Sequence, residues 1–249
     1  MQLPRLKNVI KRSLAPALIG LLAFGQAEAA VIVGRSSLLN AAQANQLESW
    51  LGKGAITLTN IYTKAANDTS TSFHSAVNGK GPTFSLMSAT ENSGPRANAI
   101  IGGYNPVSWN STEGHHVTAP VAERTAFIFN LSTDSLFRQN LNTAAGQYQT
   151  VNLASFGPTF GNGLDIYVNN NMNLGYSYLS TYSDGSNLGR SIINGSAYDG
   201  VNVSYGAIEV FSISPTAPVP EPEIYAMMAF GLGMVGFLSR RRKQQGAAV

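Results

Sequence analysis

Residues 125–131 read Thr125-Ala126-Phe127-Ile128-Phe129-Asn130-Leu131, and this run decides the class of fold. It is short and apolar, mixes aromatic with β-branched side chains, and holds neither glycine nor proline, so it reads as a buried central strand. Upstream, Thr83 to Met87 and Asn98 to Tyr104 are short pieces bounded by turns, and Ala55 to Tyr62 alternates apolar with polar residues. Downstream, Leu164, Ile166 and Val168 share one face of a further strand, opposite Asp165 and Tyr167, and Ile208 to Ile213 closes the series. Glycine- and asparagine-rich turns separate these pieces. Ser36-Ser37 reads as the cap of a helix over Leu38 to Leu51, with Gly52 just past its end and Leu39, Ala42, Leu47, Trp50 and Leu51 on one face. A second short helix is expected from Asp68 to Val77, before Asn78-Gly79. The expected fold is mostly β, of α+β type: a two-sheet antiparallel β-sandwich with peripheral helices.

The two ends of the chain are of another kind. Arg5, Lys7, Lys11 and Arg12 precede an apolar stretch from Leu14 to Phe24, followed by Ala27-Glu28-Ala29. A charged segment, a short apolar segment and an A-x-A site make a secretory signal peptide, with signal-peptidase cleavage expected between Ala29 and Ala30. Near the other end, Pro215, Pro218, Pro220 and Pro222 favour an extended spacer. There Val219-Pro220-Glu221-Pro222 comes first, then an uncharged run from Ile224 to Leu238, then Arg240-Arg241-Arg242-Lys243. A helix over that run covers ~22 Å, short of a ~30 Å hydrocarbon core, which argues against a permanent, self-sufficient span. The basic cluster after it stays cytoplasmic, so the preceding residues lie outside. The expected layout is a signal peptide over 1–29, a folded domain over 30–214, a Pro-rich spacer over 215–223, and a single transmembrane helix with its basic tail over 224–249.

The targeting ends also distort the charge. Of 16 Lys+Arg and 13 Asp+Glu, eight and three respectively lie in those ends, leaving the body 8 basic against 10 acidic residues, a net −2. The body therefore lacks the basic surface that nucleic-acid binding requires. The chain holds no cysteine, which excludes disulfides, a thiol nucleophile and Cys-ligated metal.

Motifs of chemistry are sparse. Gly79-Lys80-Gly81-Pro82 lacks the hydroxyl residue after lysine and the glycine spacing of a phosphate-binding loop, so it reads as a tight turn. His74 reads as a packed or hydrogen-bonded histidine, and His115-His116 lie in a polar loop where adjacent residues present metal poorly. Asp165 and Glu209 both fall in expected strands, where structural hydrogen bonding or solvent exposure is the better reading than acid–base work. Asp184-Gly185-Ser186-Asn187 is an ordinary turn. Trp109, Tyr176, Tyr178, Tyr182, Tyr198 and Tyr205 either pack between strands or line a carbohydrate-contacting face. No catalytic residue, cofactor site or metal site is expected, and the body reads as a binding module rather than an enzyme.

Two resemblances sharpen this. The Pro-Glu-Pro box, short apolar helix and arginine cluster of residues 219–243 resemble the PEP-CTERM sorting signal. That implies a Gram-negative bacterium making exopolysaccharide, and a membrane-embedded exosortase that recognises and removes the tail. The protein would cross the inner membrane, stay anchored there transiently, and end at the cell surface or outside. In the body, Ser72-Phe73-His74, Asn78-Gly79-Lys80-Gly81-Pro82-Thr83, Ile101-Gly102-Gly103-Tyr104, Ala126 to Leu131, Phe156 to Val168 and Ile208 to Phe211 follow one another as in a TLDc domain. The resemblance runs from about Leu38 to Ile213 and implies a two-sheet sandwich with surrounding helices. The family's frequent Cys-Asp before the Gly-Lys-Gly-Pro box is replaced here by Val77-Asn78, and its aspartate-glycine turn before the Phe-His box is missing. Eukaryotic relatives are linked to oxidative-stress protection and to the vacuolar proton pump, roles that fit an exported bacterial protein poorly. What the resemblance implies is the fold and a binding role, with extracellular polysaccharide as the expected partner. An extracellular enzyme acting on polymer or oxidants, and a permanently anchored structural protein, are the alternatives.

Overall fold

The computed structural model describes residues 29–197, 200, 202–216 and 227–234. The chain begins with β1 (Val31–Val33), α1 (Ala41–Leu51), β2 (Ile56–Thr63) and α2 (Ser70–Val77). Then come β3 (Thr83–Glu91), β4 (Ala97–Asn105), β5 (Gly114–Val117), β6 (Phe127–Asn130), β7 (Ser135–Arg138) and β8 (Tyr148–Asn152). It closes with β9 (Ile166–Val168), β10 (Leu174–Ser177) and β11 (Val203–Pro215).

Among the described residues nine strands form one sheet, in the order β1-β2-β11-β3-β4-β6-β7, with β10 joined to β11 and β9 to β10; β5 and β8 form a separate pair. This corrects the expected pair of antiparallel sheets in two ways. The large sheet is mixed, because β1 runs parallel to β2. The intervening α1 supplies the crossover that parallel neighbours need. The layering also comes from within that one sheet. β11 pairs with β10 at Val203 and Ser204 and with β2 from Glu209 onward, and its register shifts between Tyr205 and Ile208 and again between Val210 and Phe211. Such bulges bend a strand and raise its twist. Ile166 and Val168 of β9 consequently pack in one cluster with Met87, Ile101 and Ile128 of strands to which β9 is not hydrogen-bonded. At the sheet's other end, Val31 at the start of β1 and Ser214 near the end of β11 both stand opposite Thr57 of β2.

The central sheet has apolar side chains on both faces, and each face builds a core. On one, Met87, Ala89, Ile101, Ile128 and Val210 meet Phe73 and Val77 of α2, Trp109 and Phe160. On the other, Leu58, Phe84, Leu86, Phe127, Phe129 and Phe211 meet Leu38, Leu39, Ala44 and Leu47. Residues 125–131 do sit centrally: Phe129 is fully buried and β6 lies between β4 and β7. Gly102 and Gly103 let both cores close on β4. A Cβ at Gly102 would stand 2.1 Å from the Ser85 carbonyl oxygen and 2.7 Å from the Phe129 ring, and one at Gly103 would stand 2.6 Å from the Phe160 ring on the opposite face.

The helix ends separate a correct expectation from a mistaken one. Gly52 takes the left-handed conformation with φ 65° and donates to Glu48 O at 3.0 Å, ending α1 as expected. The start is three residues later than expected. Asn40 is the cap, its Oδ1 accepting from Gln43 N at 2.9 Å while Gln43 Oε1 accepts from Asn40 N at 3.1 Å. Ser36 and Ser37 are instead engaged by Glu209. Residues 227–234 are helical, but among the described residues no helix is long and apolar enough to cross a membrane. The remainder of the expected transmembrane segment, and the signal peptide before Ala29, lie outside the described residues.

Candidate functional site

The expected processing sites flank the ordered body closely. Ala29 is exposed, Ala30 N donates to Asn45 Oδ1 on α1 at 2.9 Å, and β1 starts at the next residue. At the far end Thr216 N donates to Ala55 O at 2.9 Å. Val219, Pro220, Glu221 and Pro222, and Arg240, Arg241 and Arg242, lie outside the described residues.

The buried polar residues are structural anchors. His74, 5% exposed on α2, has Nδ1 at 2.9 Å from Asn78 Oδ1 and Nε2 at 3.0 and 3.1 Å from the carbonyl oxygens of Leu153 and Phe156. It ties α2 to the loop after β8, as a hydrogen-bonded histidine should. Glu209 Oε1 accepts from Ser37 N at 2.7 Å and Ser37 Oγ at 2.8 Å, while Oε2 accepts from Ser36 Oγ. Asp165 is fully buried, and of its two expected roles it takes structural hydrogen bonding, not solvent exposure. Its carboxylate accepts from three consecutive backbone N–H groups, Ser180 at 2.7 Å, Thr181 at 3.1 Å and Tyr182 at 2.9 Å. Burial pushes its pKa up to about 7, against the opposite pull of those bonds. His115 and His116 belong to β5, not to a loop. His116 Nδ1 lies 2.6 Å from Glu113 Oε1, and among the described residues no cluster of three His, Cys, Asp or Glu side chains is placed to hold a metal.

The aromatic residues divide. Trp109, Tyr182 and Tyr205 are core residues, the Trp109 Nε1 donating to Thr83 Oγ1 at 2.9 Å and the Tyr182 hydroxyl to Gln149 O at 2.6 Å. Tyr176 and Tyr178 are half-buried, and Tyr198 lies outside the described residues. Tyr176 stands in a part-exposed row with Tyr167 and Phe156, at ring separations of 5.1 and 4.8 Å.

One of these anchors, Asp165, supports a concave surface. A cavity of about 500 Å³ lies between the edge strand β7 with its continuation to Asn142, and residues 182–187. A second, of about 350 Å³, shares Phe137 and Asn187 with it. The walls carry Arg138, Asn140, Asn142, Ser183, Asp184 and Asn187. Asn140 fixes one wall to the other, its Nδ2 donating to Ser183 O at 2.6 Å and its backbone N to Thr181 O at 2.9 Å. Ser183 Oγ donates to Asn187 Oδ1 at 2.7 Å, and Asp184 Oδ1 accepts from Ser186 N at 2.9 Å, closing the loop on itself. Asp165 grips the backbone of this loop from beneath, and Tyr182 roots it in the core. The result is a rigid groove of amides and hydroxyls flanked by one guanidinium and one carboxylate, suited to hydrogen bonding with a polar ligand. The sequence alone does not reveal it, because the two walls are some forty residues apart and Asp184-Gly185-Ser186-Asn187 reads alone as an ordinary turn.

The family described as the TLDc domain matches residues 32–214 of the chain. The PEP-CTERM protein-sorting motif matches residues 218–243. No curated protein matches the sequence.

Proposed function

Because the chain belongs to the TLDc domain family and carries a PEP-CTERM sorting motif directly after that domain, we propose that it delivers a non-enzymatic binding module to the polymer layer outside the cell. The sorting motif marks the protein for export, exosortase processing and a cell-surface or extracellular destination. In this reading signal peptidase cuts between Ala29 and Ala30, residues 224–249 hold the chain transiently in the inner membrane, and exosortase then removes them. The groove along β7 binds extracellular polysaccharide.

One observation carries the binding role: the groove walled by Asn140, Asn142, Ser183 and Asn187 on a loop fixed by Asp165. Hydroxyl-rich polymers are recognised by such donors and acceptors, directly and through bridging water. Preset walls lose little conformational entropy on binding. The buried acids Asp165 and Glu209 are already engaged in structural hydrogen bonds, which supports binding over acid–base catalysis.

The test is retention of the processed protein on the host's own exopolysaccharide, with reducing ends measured in the eluate. Retention without new reducing ends is expected. Asn142→Ala combined with Asn187→Ala should weaken it about tenfold, the loss of roughly two hydrogen bonds. Tyr176→Ala should leave it unchanged. Loss with Tyr176→Ala alone would move the site to the aromatic row, and steady release of oligosaccharide would make the protein an enzyme.

A further inference from the structure

Among the described residues three carboxylates are buried, and two are fully engaged. Glu91, at the end of β3, is the exception. It is 1% exposed, and its Oε1 accepts from Ser93 N at 3.1 Å, but its Oε2 has no hydrogen-bond partner. Two further orphaned oxygens accompany it, the hydroxyl of Tyr205, 4% exposed, and Oδ1 of Asn202. Strand register brings them together. Glu91 pairs with Val203 and Tyr205 with Ala89, so Glu91 and Tyr205 are diagonal neighbours on one face, within reach for side chains of their length. Ser93, whose N–H serves Glu91, also accepts through Oγ from the Asn202 amide. Burial first, and the Glu91 charge second, push the Tyr205 hydroxyl well above the usual phenol range, as expected of groups that face each other.

We propose that Glu91, Asn202 and Tyr205 form a binding site for a hard cation of the calcium type. The donor set is a carboxylate, an amide carbonyl and a hydroxyl, all oxygen, with no imidazole or thiolate to favour a transition metal. Among the described residues no basic side chain forms an ion pair with Glu91, so its charge is balanced from elsewhere. A carboxylate out of water and without a counter-charge is heavily penalised, and a cation between these oxygens removes that penalty. Three protein oxygens leave part of a calcium shell to water. The affinity therefore falls in the ~10⁻⁴–10⁻³ M range of extracellular calcium modules, which matches an exported protein. The site joins the end of β3 to the start of β11, so occupancy stabilises that corner of the fold. It is separate from the β7 groove and does not rest on the polysaccharide reading.

The processed protein, freed of metal with a chelator, is melted with and without about 10 mM calcium chloride, and with sodium chloride at equal ionic strength. Calcium should raise the melting temperature by about 3–10 °C, and sodium should not. Terbium replaces calcium as a luminescent probe, excited through tyrosine. Tyr205→Phe should keep the fold and lose most of the sensitised emission, and Glu91→Gln should lose both the emission and the calcium shift. Calcium-insensitive melting of the wild-type protein, as a bridging water alone would give, overturns the proposal. So does terbium emission that survives in Tyr205→Phe, whether or not Glu91→Gln folds.

Discussion

Asp165 holds the groove loop from a position closed to solvent, and the cost of that position is pH-dependent. Its pKa is raised from 3.8 to about 7 by burial, opposed by the bonds from Ser180, Tyr182 and Thr181. The native state therefore binds more protons than the unfolded chain between those values. The contribution of Asp165 to stability is full below the lower value and is lost as pH rises through the upper one. Urea unfolding should show the free energy falling by at most about 1.4 kcal/mol per pH unit between pH 4 and 7 from this source. Asp165→Asn should flatten that slope, and an unchanged slope in the variant would assign the effect to other groups. Sequence alternation puts Asp165 within a strand, on the face opposite Leu164, Ile166 and Val168. That reading failed because the strand begins only at Ile166: Leu164 has φ 55° and Gly161 φ 82°, so the preceding residues form a turn. The partners of Asp165 come from 15 to 17 residues later, and no local pattern reports them. His74 was legible as a structural histidine, although its carbonyl partners at Leu153 and Phe156 were not.

At the scale of elements, the strands with a regular apolar face were readable, and β8, buried through Gln149, Thr150 and Asn152 as well as Val151, was not. β2, β3, β4, β6 and β11 carry regular apolar residues because the central sheet has a core on each side. The sequences of β5, β7 and β10, which are GHHV, SLFR and LGYS, show no such pattern, since edge and outlying strands bury little of either face. Ser36-Ser37 imitated a helix cap because a hydroxyl can do both jobs: Ser36 Oγ accepts from the backbone N–H groups of Leu38 and Leu39 at 3.1 and 2.8 Å, as a cap does, while donating to Glu209. The Gly102-Gly103 pair gives the sharpest test of the layered sheet. Gly103→Ala should destabilise the domain by about 1–3 kcal/mol as Phe160 is displaced. Gly102→Ala should cost more, because the obstructing Ser85 oxygen is backbone. Denaturant melts measure both, and a neutral Gly103→Ala would mean that Phe160 does not lie on β4.

For the whole molecule, a folded body followed by a sorting motif was legible because such a motif is recognised as linear sequence, without tertiary partners. The mixed nine-stranded sheet was not, because it depends on where β11 bends and on a short β1 that pairs through a crossover. If both signals act as proposed, intact-mass measurement of the exported protein should find Ala30 as its first residue and no Arg240-Arg241-Arg242 cluster. A mass that includes Met1 or the basic cluster would contradict the corresponding cleavage. The shared register of Val31 and Ser214 with Thr57 also has a mechanical consequence. The chain enters and leaves the body two strand spacings apart, about 10 Å. A pull between the two ends would peel β1 and β11 from β2 one bond at a time instead of shearing a whole ladder at once. Such a body resists tension poorly when both ends are held, and bears no load between them once either end is cut free.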